Sequence, residues 1–185
     1  MKGLACLLAG VALYGVAFAE EDILGKMINK DTNGSWFSQP EKPKAKHLKA
    51  DVLGGYAFRF KATKGANPWD LQANSPIAGA IKDGDVIMIN YYARAEEPAE
   101  GGSSLTVHIQ LADAPYTAIL QSTAKISQEW QSYCAFRVAN ASVAEKKSNV
   151  SVHLATAKQV IDLGPVMVFN FGQGYDKKKL AFCNG

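Results

Sequence analysis

Residues 105–112 read LTVHIQLA, a stretch in which every second side chain is aliphatic and most of those between are polar. Successive side chains of a β-strand point to opposite faces of the sheet, so a period of two predicts a strand with one face in a core and one in solvent. Polar Thr106, His108 and Gln110 share the solvent-facing side. The stretch therefore predicts an antiparallel sheet that is covered on one face only.

Strand-length segments recur along the chain, separated by Gly, Pro, Asn and Asp. With LTVHIQLA they are YAFRFKAT (56–63), PWDLQAN (68–74), VIMINYYARA (86–95), YTAILQST (116–123), WQSYCAFRV (130–138), NVSVHLA (149–155) and VIDLGPVMVFNF (160–171). Short strands at close spacing with turn residues between them predict an all-β sandwich or barrel. One short helix is predicted over residues 21–29, and the Lys- and Pro-rich residues 38–50 are predicted to form a solvated loop.

Residues 1–19 have the pattern of a secretory signal peptide, with one basic residue, an apolar run and Ala17-Phe18-Ala19 at its end. The apolar run is shorter than a membrane-spanning helix requires. We therefore expect a secreted or periplasmic protein without a membrane span. Residues 20–49 are expected to be an N-terminal segment and surface loop of the sandwich, and residues 173–185 a tail with solvated lysines.

The charge and the cysteines constrain the function further. A formal net charge of +3 is too small to predict nucleic-acid binding. Cys134 and Cys183 remain after removal of the leader, and in an oxidising compartment they form either a disulfide or two buried thiols, between which the sequence does not decide.

Sequence motifs of catalysis are missing. There is no GxSxG nucleophile turn, no HExxH zinc motif, no GxGxxG opening a helix and no P-loop. The chain is therefore not predicted to be an enzyme. A glycosidase with two carboxylates stays open, because such acids need only converge in space.

Five segments in order resemble one family. LGGYAFRF, GANPWDLQ, IKDGDVIMINYYARA, EWQSYCAFRV and VIDLGPVMVFNFG are similar to the galactose-binding-like jelly-roll carbohydrate-binding modules attached to xylanases and glucanases, over about residues 50–172. The resemblance implies a sandwich of two antiparallel sheets. One sheet would hold the segments 56–63, 86–95, 130–138 and 160–169, and the other the segments 68–74, 105–112, 116–123 and 149–155.

The resemblance implies a sugar site on the exposed face of the second sheet, or at the loops of one edge. Strand alternation gives that face six polar side chains: Asp70, Gln72, His108, Gln110, Ser151 and His153. Aromatic partners for a sugar ring would be Trp36, Trp69 and Tyr116. Alternation places Trp69 opposite Asp70 and Gln72, at the core or the rim, whereas Trp36 lies in a loop where an exposed platform is expected.

The sequence offers candidate ligands for two metal sites. His108 and His153 would lie on neighbouring strands and could bind a metal if Asp70 supplied a third ligand. The resemblance also implies a structural calcium near the N-terminal loop and the last strand, with Asp31 and Asp162 as candidate ligands. No other cofactor is expected.

These observations predict a secreted, non-catalytic module that binds a polysaccharide or glycan, with a glycoside hydrolase as a candidate partner. One alternative is a small jelly-roll lyase or hydrolase, for which His108, His153 and Tyr116 would be the residues to test. The other is a protein-interaction subunit that has lost sugar binding.

Overall fold

A computed structural model describes residues 23–30, 35–41 and 45–183, so the predicted signal peptide lies outside the described residues. Ten strands follow one another: β1 (Phe37–Gln39), β2 (Lys46–Lys49), β3 (Tyr56–Ala62), β4 (Gln72–Ile77), β5 (Asp85–Glu97), β6 (Ser103–Leu111), β7 (Ala118–Ile126), β8 (Gln131–Val138), β9 (Ser148–His153) and β10 (Gln159–Gln173). The described helical elements are short 3-10 turns at Leu24–Lys26, Pro68–Asp70 and Lys177–Leu180.

The strands form two five-stranded antiparallel sheets, which confirms the predicted all-β sandwich. Sheet A has the order β2-β3-β10-β5-β8 and sheet B the order β1-β4-β9-β6-β7. All eight predicted segments lie in the sheet that the resemblance implied for them. Within the described part of the chain, no helix is long and apolar enough to cross a membrane.

The core lies between the sheets and follows the predicted alternation. Val107 of β6 and Val150 of β9 meet Ile87 of β5 and Ile161 of β10 from the opposite sheet, and all four are fully buried. Removing these branched side chains from water is the main driving force for closing the sandwich.

The outer face of sheet A is covered by the C-terminal segment. Leu180 packs with Met88, Phe169 and Phe171 in a second apolar cluster, and Cys183 forms a disulfide with Cys134 of β8. The sequence had left this disulfide open. The lysines at 177–179 are exposed as predicted, but the tail that carries them is bound to the sheet.

Two predictions about the N-terminal part were wrong. Strands β1 and β2 lie in or at the start of the region predicted to be a loop, because β1 is only three residues long and β2 is a short, lysine-rich edge strand with the composition of a loop. The helix predicted over 21–29 is a single turn in its described part, and Asn29 instead bonds β10, with its amide donating to Val166 O at 2.9 Å.

Candidate functional site

Strand register lines up polar side chains across the outer face of sheet B. Gln72 of β4 lies opposite His153 of β9, and His108 of β6 lies opposite Ser151 of β9 and Gln121 of β7. This face carries a cavity of about 410 Å³. Its lining comprises Gln39, Trp69, Gln72, His108, Gln110, Ala112, Pro115, Tyr116, Ala118, Gln121, Asn149 and His153.

The cavity combines two kinds of surface. Amides and imidazoles from five strands form the floor, and the rings of Trp69 and Tyr116 stand at the rim, 53% and 52% exposed. Among the described residues that line it, none is an Asp, Glu, Lys or Arg. The cavity therefore offers neutral hydrogen-bonding groups and aromatic faces to a ligand.

Trp69 lines the cavity, so of the two positions that the sequence left open for its ring, the core or the rim, the structure shows the rim. Alternation was applied from residue 68, but β4 begins only at Gln72, and residues 68–70 form a 3-10 turn. The turn rotates the indole to the same side as Gln72, where it meets the His153 ring with a centroid distance of 6.0 Å.

Asp70, predicted to face the ligand, does not line the cavity. Its carboxylate accepts a hydrogen bond from the Asn67 backbone N–H at 2.9 Å and a second from the Asn67 amide at 3.3 Å. These bonds stabilise the charged form and hold the pKa of Asp70 below its usual value. Asp70 therefore fixes the turn that carries Trp69.

Gln72 lies in the cavity and also holds the Trp69 turn. Its amide donates to Trp69 O at 3.1 Å, while its side-chain oxygen accepts a hydrogen bond from the Ser151 hydroxyl at 2.7 Å. Ser151, predicted to face the ligand, is fully buried beneath Gln72. The chain of bonds runs from the middle of the sheet to the tryptophan turn.

His108 and His153 lie side by side, with ring centroids 4.4 Å apart. Burial lowers the pKa of His108, and burial together with the neighbouring His108 lowers the pKa of His153 to about 4. Both rings are therefore uncharged at neutral pH, and they extend the apolar surface that begins at Trp69.

Tyr116 closes the other end of the cavity from the turn between β6 and β7. Its backbone has a φ of 57°, which a bulky residue adopts only when the surrounding structure imposes it. The Tyr116 N–H donates to Asp113 O at 3.0 Å, and the Leu111 N–H donates to Thr117 O at 3.1 Å. The turn holds an exposed ring in an unfavourable backbone conformation, which is typical of functional positions.

The prediction of Trp36 as an exposed loop platform was wrong. Its side chain is 4% exposed, and the indole N–H donates to Gly164 O at 2.7 Å. Residues 36 and 164 lie 128 positions apart, so the local sequence around Trp36 contained no sign of this contact.

Sequence reasoning missed three polar side chains of the cavity: Gln39, Gln121 and Asn149. Asn149 could have been found, because it precedes Ser151 and His153 at the same period of two. Gln121 follows two successive buried side chains in β7, at a point where the register with β6 shifts. Because the alternation is interrupted there, the sequence does not show on which face of the sheet Gln121 lies.

Neither metal site gains support from the geometry. Asp70 does not join the histidine pair in the cavity, and the described residues contain no cluster of three or more metal-ligating side chains. Both oxygens of fully buried Asp162 accept hydrogen bonds, from Arg59 at 2.7 and 2.8 Å and from Arg94 at 2.9 Å. Two guanidinium groups at this carboxylate do not fit a calcium ligand, and Asp31 lies outside the described residues.

Comparison with known proteins identifies the fold. No family model and no curated protein matches the chain. A carbohydrate-binding module described as CBM4 has a TM-score of 0.57 at 13% identity, over 76% of this chain and 97% of that chain. The N-terminal cellulose-binding domain of Cellulomonas fimi β-1,4-glucanase C has a TM-score of 0.54 at 14% identity, over 74% and 88%.

A third similar structure is an arabinose-bound α-L-arabinofuranosidase, with a TM-score of 0.57 at 13% identity. The match covers 78% of this chain but only 24% of the enzyme. At such identities the likeness concerns the backbone arrangement alone. The chain has the jelly-roll β-sandwich fold of the carbohydrate-binding modules.

Proposed function

We propose that the protein is a secreted, non-catalytic module that binds an uncharged polysaccharide or glycan on the outer face of sheet B. The observation that carries the proposal is the cavity itself, in which the half-exposed ring of Trp69 adjoins a floor of neutral amides and imidazoles. Its fold, shared with solved carbohydrate-binding modules, supports the same function.

The chemistry of the cavity matches that of a neutral sugar. A pyranose presents a C–H face that an indole can cover, and a rim of hydroxyl groups that both donate and accept hydrogen bonds. Gln110 and Gln121 line the cavity and can offer their amides to those hydroxyls.

The absence of charge in the described lining favours an uncharged ligand. A uronate or sulfate group would lose its hydration on entering the cavity without meeting a cation. Neutral chains such as glucans, arabinoxylan and glucomannan lose only hydroxyl hydration, which the floor can replace.

The same lining argues against catalysis. Glycosidases use two carboxyl groups about 5 to 10 Å apart across the scissile bond, and the described lining contains no carboxyl group. His153, the alternative base for a lyase, has a pKa of about 4 and therefore takes up protons poorly at neutral pH.

The test is affinity electrophoresis against soluble polysaccharides. Neutral probes are barley β-glucan, hydroxyethyl cellulose, arabinoxylan, glucomannan and pullulan, and acidic probes are polygalacturonate and alginate. We expect retardation by at least one neutral polymer, none by the acidic ones, and no release of reducing or unsaturated ends. If no neutral probe retards the protein, the proposal fails and the protein-interaction alternative gains; a co-purifying glycoside hydrolase would identify the expected partner.

A further inference from the structure

Two imidazoles determine the charge of the cavity in its described part. His108 and His153 both line it, with ring centroids 4.4 Å apart. The other described lining residues are amides, aliphatic side chains, an indole and the phenol of Tyr116, and none of these takes up a proton in mildly acid solution. Acidification can therefore add charge to this lining only at the histidine pair.

The pair accepts one proton far more readily than two. Two positive charges 4.4 Å apart would repel each other in a site partly shielded from water, so the rings titrate as a coupled pair. Burial and this repulsion together lower the pKa of His153. The first proton is opposed by burial alone, so acidification first gives the pair a single positive charge.

No carboxylate in the described lining neutralises that charge. The strands beside the pair place Gln72 opposite His153 and Gln121 opposite His108. The carboxylate of Asp70, in the tryptophan turn, is bonded to Asn67 and does not line the cavity. Further ionisable side chains on segments beside this face, none of which lines the cavity, are Lys64, Asp113, Lys125, Lys147 and Lys158.

We propose that in acid solution the protonated histidine pair makes the cavity a binding site for glycans that carry carboxylate groups, the uronates. The inference rests on the proposed function, because the same cavity holds the sugar ring. A pyranose that covers Trp69 lies beside His153, whose ring centroid is 6.0 Å from that of the indole. A carboxylate on that pyranose accepts a charge-assisted hydrogen bond from the imidazolium. The proton comes from solvent, and no bond of the glycan forms or breaks.

Binding and protonation favour each other. A carboxylate beside the imidazolium stabilises the charged form and raises the pKa of the pair, so the complex takes up a proton that the free protein lacks. Because the pair takes up a single proton, the affinity should rise by no more than about tenfold for each unit by which the pH falls. Uronates stay ionised through most of this range, since carboxyl groups titrate below imidazoles.

The experiment titrates trigalacturonate, and trimannuronate as a second probe, by calorimetry between about pH 7.5 and about pH 4.5. We expect no binding at the upper limit and, for at least one probe, a gain of about tenfold or more at the lower one. Titrations in buffers of different ionisation enthalpy should show the uptake of up to one proton per site. The methyl ester of each trimer is the matched uncharged ligand and should show no gain.

Variants test whether the pair carries the charge. The double variant His108→Gln, His153→Gln removes both imidazoles and should lose the gain in acid solution. His47→Gln removes an imidazole from β2 of sheet A, outside the cavity, and should keep it. Should the double variant fail to fold, NMR of the wild type gives a second readout: the imidazole signals of His108 and His153 should titrate at higher pH with the uronate than with its ester.

The outcomes separate this inference from the proposed function. A gain in acid solution that the esters share, or that the double variant keeps, refutes the role of the histidine pair. If neither uronate binds at any pH while a neutral polymer of the panel does, the inference is refuted and the proposed function stands. If no uronate and no neutral polymer binds, both are overturned.

Discussion

Trp69 is the side chain whose removal should cost the most binding. About half of its surface is exposed at the rim of the cavity, at 53%. Aromatic side chains bury ~150–250 Å² when covered, so a sugar ring on the free face covers roughly 100 Å². At ~25 cal/mol per Å² this is about 2.5 kcal/mol, and Trp69→Ala should raise Kd about 70-fold.

Titration calorimetry on the neutral polymer from the panel measures this change directly. Trp69→Phe keeps a smaller ring and should lie between the wild type and Trp69→Ala. Phe182→Ala removes a more exposed ring, at 71%, from the disulfide-anchored segment and should bind normally. Melting temperatures should be similar in all three variants, because an exposed ring contributes little to packing.

One result would refute the reasoning. If Trp69→Ala binds the polymer within about threefold of the wild type while Asp70→Ala loses binding, the carboxylate rather than the indole contacts the sugar. The hydrogen bonds of Asp70 to Asn67 instead predict an effect of Asp70→Ala that acts through the turn. That effect should be smaller than the loss in Trp69→Ala and should alter the near-UV circular dichroism of the unliganded protein.

Other parts of the molecule give further predictions. Ser151→Ala removes one bond of the chain that holds the tryptophan turn and should weaken binding about two- to tenfold by calorimetry. Asp162→Asn leaves the partly buried guanidinium groups of Arg59 and Arg94 with Glu96, at 2.9 and 2.6 Å, as their remaining carboxylate partner, and should lower the free energy of unfolding in urea by about 2 kcal/mol, against less than about 1 kcal/mol for Asp113→Asn at an exposed ion pair. The unfolded state protonates His153 near its ordinary pKa of 6.5 and the folded state only near 4, so the free energy of unfolding should fall as the pH drops through this window. His153→Gln should flatten this fall in urea titrations.

The sequence predicted the strands well where one face of a sheet is core and the other is solvent. In β6 and β9 the aliphatic side chains recur with a period of two in the sequence, and this placed His108, Gln110 and His153 on the outer face, although His108 and Gln110 are buried there and not solvated as predicted. The same period also places Asn149 on that face, although the prediction did not name this residue. The assignment of the strands to two sheets came from the resemblance, because the period of a strand does not specify its neighbours.

Prediction failed at the start of β4, where strand geometry does not yet apply. Pro68 at the first position of a 3-10 turn and the reciprocal bonds of Asn67 and Asp70 set the backbone there. The alternation rule therefore exchanged the roles of Asp70 and Trp69. The capping pattern, an Asn followed three residues later by an Asp, was visible in the sequence and would have corrected the assignment.

The edge strands β1 and β2 were missed in the prediction for a different reason. An edge strand is often short and carries Lys or Pro, so its composition is that of a loop, and the residues that identify it lie far away in the chain. Strand β1 is recognised only by its pairing with residues 72–74, thirty or more positions later. The functional prediction therefore omitted Gln39 and Phe37, which extend the outer face of sheet B.

The two outer faces of the sandwich differ in what covers them, and this difference supports the binding face that we propose. On sheet A the apolar side chains of Met88 and Phe171 are buried by a tail that the Cys134–Cys183 disulfide closes onto β8. A ligand there would have to displace a covalently anchored segment. On sheet B a cavity and two half-exposed rings are open, and the floor is polar but uncharged in its described part. A polysaccharide can therefore bind sheet B without any rearrangement of the sandwich.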